Sequence, residues 1–213
     1  NDFQPDLVGI SNMFTWQIDQ ALFIAKLCKE ISQNIITVIG GPHVSSFPLE
    51  SIGEKNIDYV VMGEGEIRFN ELINDLALGK QPKIQGVIHG EADLNLLKPS
   101  KRSPISFIPQ LDELPIPAYD LVDVERYFDL QTKGMSSRPR SKGRRTASMI
   151  TSRGCPHQCI FCSIQSTMGY KWRHHSPQYI NEHINYLIRN YNIDYLHFED
   201  DNFTHDSERY DSI

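Results

Sequence analysis

Three cysteines with the spacing C-x₃-C-x₂-C are the residues of this chain whose types and spacing point most directly to chemistry. Cys155, Cys159 and Cys162 lie within eight residues, and no obvious fourth ligand accompanies them. Clustered thiolates select an iron–sulfur cluster, zinc or copper(I). Electron-transfer clusters normally have four protein ligands, so a cubane cluster held by three cysteines keeps one iron open to a small molecule. The loop therefore predicts chemistry at a metal.

The same loop resembles the cluster loop of the radical S-adenosylmethionine (SAM) superfamily. The resemblance is carried by the cysteine spacing, by Arg153-Gly154 before the first cysteine and by Phe161 before the third. It implies a [4Fe-4S] cluster on Cys155, Cys159 and Cys162, with SAM chelated by the open iron and contacted by Phe161. One electron from the reduced cluster would cleave SAM to methionine and a 5′-deoxyadenosyl radical.

Two other interpretations of the cysteines are less favoured. A zinc site would need a fourth ligand such as His157, His174 or His175, but structural zinc sites usually pair their ligands in two separate knuckles. Four cysteines in 213 residues do not form the pattern of a secreted disulfide framework. Cys28, far from the other three, lies on the apolar side of a predicted helix, which favours a small buried hydrophobic residue.

The composition is that of a soluble globular protein, with 39% hydrophobic residues, 23% charged residues and a formal net charge of −6. No apolar run approaches the ~18 residues of a membrane span, and the N-terminus does not resemble a signal peptide. Free clustered thiols indicate a reducing compartment, so we expect a cytoplasmic protein without a membrane partner. Mild acidity argues against nucleic-acid binding, which normally requires a basic face.

Residues 1–90 alternate short apolar runs with amphipathic stretches, a pattern typical of a parallel α/β sheet. A helix after the first strand is predicted to bury Cys28 and to expose Lys26 and Lys29. Glycines directly follow two strands, at the edge where open α/β sheets bind ligands, and glycine lets a large ligand approach the backbone closely. An ordinary turn is the alternative. The predicted strands are 7–10, 35–39, 59–62 and 85–89.

Segments 5–11, 40–43 and 58–66 together resemble the later part of a cobalamin-binding domain, a partial flavodoxin-like (Rossmann-type) fold found upstream of many radical SAM domains. The alternatives are that His43 is a loop residue facing solvent and that Glu66 simply begins a helix, where a carboxylate suits the helix dipole. The resemblance implies that the corrin and its nucleotide tail lie near Gly40, Gly41, Pro42, His43, Gly63, Glu64 and Gly65.

Residues 146–151 predict a strand that delivers the cysteines at its carboxyl end, as expected for the start of a radical SAM (β/α) barrel. A helix should follow Pro177, and a second strand at 194–198 should end in an acidic turn. Segments 172–177 and 198–203 also resemble cobalamin-linked radical SAM proteins. Asp200 or Asp201 could accept hydrogen bonds from the SAM ammonium group; the alternative is a polar strand end. Arg173 could be structural.

The domain prediction is a cobalamin-binding domain at 1–90, truncated at its N-terminus, and a radical SAM domain at 146–213, truncated at its C-terminus. Residues 91–145 form the predicted linker. Its segment 108–119 is rich in proline, is expected to be extended and resembles the connector between these domains. The basic segment 133–145 could contact a phosphate, but a solvated loop is the favoured interpretation.

The resemblance implies a cobalamin-dependent radical SAM enzyme that most often transfers a methyl group to an unactivated position of a small molecule. A [4Fe-4S] cluster, SAM and cobalamin would be its cofactors, and flavodoxin or ferredoxin would supply electrons. One alternative is a radical SAM methylthiotransferase, which normally carries further cluster cysteines upstream, where this chain has only Cys28. Another is a non-catalytic iron–sulfur or zinc module.

Overall fold

The computed structural model describes residues 3–90, 107–131 and 143–213. About half of the predicted linker lies outside the described residues, including the basic segment up to Lys142. The chain divides into two compact units, Asn1–Ile108 with Ser166–Met168, and Pro109–Gln165 with Gly169–Ile213. None of the helices in the described ranges combines the length and the hydrophobicity that a membrane span requires.

The first unit is built on a four-stranded sheet with the order β1-β2-β3-β4. Three strands are parallel, as predicted: β1 Leu7–Ser11 pairs with β2 Ile36–Gly40, which pairs with β3 Tyr59–Val61. The fourth strand, β4 Val87–Ile88, pairs with β3 in the antiparallel direction, which the sequence pattern did not predict. A strand of two residues is too short for its hydrophobic pattern to indicate whether it pairs in the parallel or the antiparallel direction.

Helices cover both faces of this sheet because alternate residues of its strands point to opposite sides. The helices are α1 Ile18–Ile31, α2 Pro42–Ser46, α3 Pro48–Ile52 and α4 Gly65–Ala77. Ile39 and Val60 pack with α1, α2 and α3, whereas Val38, Tyr59 and Val61 pack with α4. Strands β2 and β3 are therefore buried on both faces, whereas Ile10 is the one fully buried residue of β1.

A buried polar cluster closes the amino-terminal edge of the sheet. Lys29 is buried, so its predicted exposure on α1 was wrong: its Nζ donates to the carbonyl of Ile35 and to the Asp58 carboxylate, each at 2.6 Å. Partial burial raises the pKa of Asp58, but hydrogen bonds from Lys29 and Thr37 outweigh it and lower that pKa overall. The Thr37 hydroxyl lies 2.5 Å from the Asn56 carbonyl. This edge is therefore filled by the protein itself.

The second unit contains two small sheets. In the first, β5 Thr146–Met149 pairs in parallel with β8 Tyr195–Phe198, which agrees with the start of a β/α barrel. In the second, β6 Ser152–Arg153 pairs with β7 Arg173–His174 in the antiparallel direction. Helix α7, Pro177–Tyr191, follows β7 as predicted. Shorter helices complete this unit: α5 Val124–Leu130, α6 Ile164–Thr167 and α8 Ser207–Tyr210.

Helix α7 has the boundaries that its sequence dictates. The Ser176 side chain caps its start by accepting a hydrogen bond from the Tyr179 N–H, and Pro177 occupies the first turn. Asn192 ends it in the left-handed region, with φ 50°. The buried face packs onto the strands, and the core of this unit comprises Phe128, Met149, Ile180, Leu187 and Ile193.

The connector at 108–119 was predicted to be extended. Instead, it forms 3₁₀ turns at Leu111–Glu113 and Tyr119–Leu121. Its Asp112 carboxylate accepts hydrogen bonds from the Ser176 N–H at 2.9 Å and pairs with His175 Nδ1 at 3.1 Å. These contacts fix the connector to the turn that precedes α7 within the second unit.

A buried histidine in α7 makes the stability of the second unit depend on pH. His183 is 4% exposed, and its Nε2 lies 3.0 Å from the Tyr119 hydroxyl. Burial, with a smaller contribution from His175, lowers the pKa of His183 to about 4. The contribution of neutral His183 to stability is fully present above about pH 6.5, the pKa of an unfolded histidine. We expect the free energy of unfolding to fall by about 2–3 kcal/mol as the pH drops from 6.5 towards 4.

Urea unfolding at pH 7 and at about pH 4.5 measures this effect. His183→Gln should show a smaller difference, because glutamine stays neutral at both pH values. His157→Gln is the matched control, since His157 is exposed, and it should behave like the wild type. The same pH dependence in wild type and His183→Gln would contradict the prediction.

Candidate functional site

The carboxyl edge of the first sheet brings together the turns that the sequence assigned to ligand binding. Strands β1, β2 and β3 are parallel and end at Ser11, Gly40 and Val61, so the turns that follow them lie side by side. The Asn12 N–H donates to the Gly40 carbonyl at 2.8 Å, and this bond extends the pairing beyond β1. The turn after β1 is therefore held by a backbone hydrogen bond against the predicted turn after β2.

Gly41 is the position at which this arrangement requires a glycine. Its φ is 108°, a conformation that L side chains rarely adopt. A Cβ added here would lie 2.5 Å from the Asn12 carbonyl oxygen. Gly65 differs, since a Cβ there would meet nothing within 4 Å. Of these two glycines, only Gly41 is fixed by a close approach of backbone.

His43 lies inside α2 and is 3% exposed, so the alternative of a histidine facing solvent was wrong. Its Nδ1 lies 3.2 Å from the Thr15 hydroxyl. Its Nε2 lies 3.5 Å from a Glu50 carboxylate oxygen but makes no hydrogen bond among the described residues. The contact at Nδ1 orients the ring, and Nε2 can still form a hydrogen bond.

The turn Gly63-Glu64-Gly65 is tied to the turn after β2 by Ser45. The Ser45 hydroxyl donates to the Gly41 carbonyl and accepts from the Gly63 N–H, both at 2.8 Å. The buried Glu64 carboxylate accepts a hydrogen bond from the Ile108 N–H at 2.6 Å. Glu66 lies in the first turn of α4, as its helix-start interpretation predicted. The Glu64 carboxylate already accepts a hydrogen bond from the backbone, and its predicted contact with a cofactor stays a prediction.

This edge fits a large polar cofactor. The Asn12 carboxamide is buried, and neither its nitrogen nor its oxygen has a partner among the described residues. His43 Nε2 is unpartnered in the same sense, and both residues border the close approach at Gly41. Buried polar groups normally have hydrogen-bond partners, so unsatisfied ones beside a glycine turn suit a ligand with many donors and acceptors.

The three predicted cluster ligands lie in a loop beyond β5 and β6. Cys155 is half-buried, Cys159 and Cys162 are exposed, and all four cysteines are free thiols. The Cys155 N–H donates to the Gly169 carbonyl at 3.2 Å. Within the part of the chain that is described, no three His, Cys, Asp or Glu side chains are placed to hold a metal ion. The thiols fit an iron–sulfur cluster in type and number, while the loop does not draw them around one point.

Phe161, the predicted SAM contact, is 90% exposed on this loop. Of the predicted fourth zinc ligands, His157 is exposed, His174 lies in β7 and His175 pairs with Asp112. The buried Arg173 also lies in β7, which agrees with a structural role. None of these histidines forms a metal-binding group with two further His, Cys, Asp or Glu side chains among the described residues.

Asp200 holds the start of the cysteine loop, a role that sequence reasoning missed. Its carboxylate accepts hydrogen bonds from the Thr151 N–H at 3.0 Å, the Thr151 hydroxyl at 2.8 Å and the Ser152 hydroxyl at 2.6 Å. Both hydroxyl residues are buried. Asn202 also lies near the loop, with its Nδ2 3.7 Å from Cys155 Sγ. The pattern of two hydroxyl residues shortly before the first cysteine was the available signal.

Asp200→Ala should destabilise the protein by about 1–3 kcal/mol, because it leaves buried donors on Thr151 and Ser152 unpaired. Asp201→Ala is the matched control: Asp201 is the neighbouring exposed carboxylate, and its loss should change stability by less than about 0.5 kcal/mol. Urea unfolding of both variants measures the difference. Equal stabilities would show that the Asp200 contacts do not hold the loop.

Comparison with known proteins assigns the first unit. Residues 1–73 match the family described as B12 binding domain. The cobalamin-dependent radical SAM methyltransferase TokK of Streptomyces tokunonensis is 28% identical over 206 residues, which cover 94% of this chain and 28% of TokK. Residues 1–73 are therefore similar to a cobalamin-binding domain, and most of the chain is similar to part of a cobalamin-dependent radical SAM methyltransferase. The B12 match falls inside the predicted first domain, whereas the predicted boundaries at 90 and 145 stay predictions.

Two longer proteins are similar to this chain over most of its length. The uncharacterized methyltransferase PH0819 of Pyrococcus horikoshii is 36% identical over 209 residues, 97% of this chain and 42% of that protein. The methyltransferase TsrM of Kitasatospora setae, solved with tryptophan and a SAM analogue, superimposes with a TM-score of 0.70 at 18% identity, covering 95% of this chain and 38% of TsrM. The predicted α/β fold class is confirmed, and the chain spans about two fifths of these relatives.

Proposed function

We propose that this chain is the cofactor-binding part of a cobalamin-dependent radical SAM enzyme that transfers a methyl group to an unactivated position of a small molecule. One observation carries the proposal: residues 1–73 match a B12 binding domain in the same chain that places three free thiols beyond the carboxyl end of a barrel-type strand. The relatives named as methyltransferases favour methyl transfer over other radical reactions.

The residues divide the work between the two units. Cobalamin would be held at the carboxyl edge of the first sheet by Gly40, Gly41, Pro42, His43, Gly63, Glu64 and Gly65. Cys155, Cys159 and Cys162 would hold the cluster, and the exposure of Cys159 and Cys162 leaves these two thiols accessible to iron. Phe161 and an acidic side chain would contact SAM. Asp201 is the better placed of the two carboxylates, because Asp200 already accepts hydrogen bonds from Thr151 and Ser152.

When bound, the cluster supplies the electron that cleaves SAM, and cobalamin supplies the methyl group. The chain's task is placement, since binding groups in a fixed geometry removes most of the entropic cost of reaction. Asp200 fixes the start of the cysteine loop, and the backbone contact at Gly41 fixes the cobalamin edge. A small-molecule substrate and an electron donor such as flavodoxin or ferredoxin complete the proposal.

Two measurements on the protein purified without oxygen test the proposal. Hydroxocobalamin should bind with a dissociation constant in the micromolar range or tighter, as followed by absorbance. After cluster reconstitution and reduction, SAM should change the electron paramagnetic resonance (EPR) spectrum, because it would bind at the open iron.

The outcomes separate the alternatives. A cluster whose EPR spectrum ignores SAM would favour a non-catalytic iron–sulfur module, and a protein that binds zinc in preference to iron would favour a zinc module. A SAM-responsive cluster without cobalamin binding would remove the assignment of the first unit and favour a methylthiotransferase. Formation of 5′-deoxyadenosine together with cobalamin binding is the expected result.

A further inference from the structure

The carboxamide of Asn12 is an unusual buried group. It is 1% exposed, and both its Nδ2 and its Oδ1 lack a hydrogen-bond partner among the described residues. A buried amide without partners destabilises a folded protein, so natural proteins rarely keep one without a reason. None of the motifs that carry the cobalamin resemblance includes Asn12 as a binding residue.

The backbone at Asn12 is fixed on two sides. Its N–H donates to the Gly40 carbonyl at 2.8 Å, and its carbonyl lies where a Cβ on Gly41 would be, 2.5 Å away. The residue therefore sits at a defined point between the first two turns of the carboxyl edge. The unsatisfied carboxamide belongs to the same edge as the glycine turns.

Large apolar side chains are exposed directly beside Asn12. Met13, Phe14 and Trp16 are 54%, 56% and 71% exposed, and the rings of Phe14 and Trp16 stack with centroids 6.1 Å apart. Exposed apolar residues in a cluster mark a binding surface more often than isolated ones do. The loop after β1 thus combines an apolar surface with a buried donor and acceptor at its base.

Cobalamin has the matching chemistry, because its corrin is a broad apolar ring with carboxamide side chains around its edge. A carboxamide can donate to and accept from another carboxamide in one reciprocal pair. We propose that Asn12 is a cobalamin-binding residue whose carboxamide pairs with a corrin carboxamide while Met13, Phe14 and Trp16 cover part of the ring. This inference rests on the proposed binding of cobalamin to the first unit and adds a specific residue to it.

Asn12→Leu in the full chain distinguishes a ligand contact from a structural role. Leucine has the same number of side-chain heavy atoms, branched at the same carbon, and no polar atoms to leave unsatisfied, so the variant without cofactor should melt no lower than the wild type. The dissociation constant for hydroxocobalamin, measured by absorbance titration, should rise at least about tenfold. A structural asparagine would produce the opposite pattern, with a lower melting temperature and unchanged binding.

Two further variants keep the test decisive. Trp16→Ala changes an exposed residue, so it should fold normally and weaken hydroxocobalamin binding several-fold. Thr37→Val is the matched control, because Thr37 is buried in the same sheet at the opposite edge and its hydroxyl is hydrogen-bonded. It should lower the melting temperature and leave binding unchanged.

Each result has one meaning. Failure of the wild type to bind hydroxocobalamin overturns the proposed function together with this inference. Binding by the wild type with an unchanged dissociation constant in Asn12→Leu and Trp16→Ala overturns the inference alone. Weaker binding in both variants, with Asn12→Leu at least as stable as the wild type, supports it.

Discussion

Replacing Cys159 by alanine is expected to remove the iron–sulfur cluster and to lower 5′-deoxyadenosine formation by more than about a hundredfold. The proposed cluster site consists of three thiols, so the variant would keep only Cys155 and Cys162 as cysteine ligands. Loss of groups that only support metal ligands already costs about 10–100-fold, and loss of a ligand should cost more. Iron and sulfide content, and 5′-deoxyadenosine measured by chromatography, check the result.

Cys28→Ala is the matched control for this experiment. Cys28 is the one cysteine outside the loop, and it is buried in α1 of the first unit. Its replacement should leave the iron content and 5′-deoxyadenosine formation unchanged. A variant Cys159→Ala that still held a cluster and cleaved SAM would refute the ligand assignment.

Gly41→Ala should destabilise the first unit by about 2–4 kcal/mol. The new Cβ would lie 2.5 Å from the Asn12 carbonyl oxygen, and alanine would have to adopt a φ of 108°. A non-glycine residue in such a region costs about 1–3 kcal/mol before any clash. Urea unfolding measures the loss, and hydroxocobalamin titration should show weaker binding because the two turns can no longer meet.

Gly65→Ala provides the comparison, since a Cβ there meets nothing within 4 Å and the residue begins α4. Alanine restricts the unfolded chain more than glycine does, so this variant should be stabilised by about 0.4–1 kcal/mol. If Gly41→Ala were as stable as Gly65→Ala, the close approach at Gly41 would not constrain the fold.

Local patterns in the sequence predicted the elements that they directly encode. Short apolar runs predicted the parallel strands β1 to β3, and the helical spacing of apolar residues after Pro177 predicted α7. The same logic placed the cysteines beyond β5, because a strand and the loop that follows it are adjacent in the chain. Each of these inferences depends only on residues that lie close together in the chain, within one helix or within one strand and the loop after it.

Contacts between distant residues were not predictable in this way. Lys29 has the charge of a surface residue and is buried because Asp58, 29 positions later, pairs with it. Asp200 became a support of the cysteine loop only when β5 and β8 paired and brought it to Thr151. The Asn12 carboxamide gave no sign in the sequence, since burial without a partner exists only in the folded chain.

Ser45 couples two turns at the carboxyl edge of the first sheet. One hydroxyl joins the Gly41 carbonyl and the Gly63 N–H, so neither turn can swing outward without releasing the other. Loading and unloading of a large cofactor would then follow a single concerted opening rather than two separate ones. The amide proton of Gly63 would report that opening, because it can exchange with deuterium only while this bridge is broken.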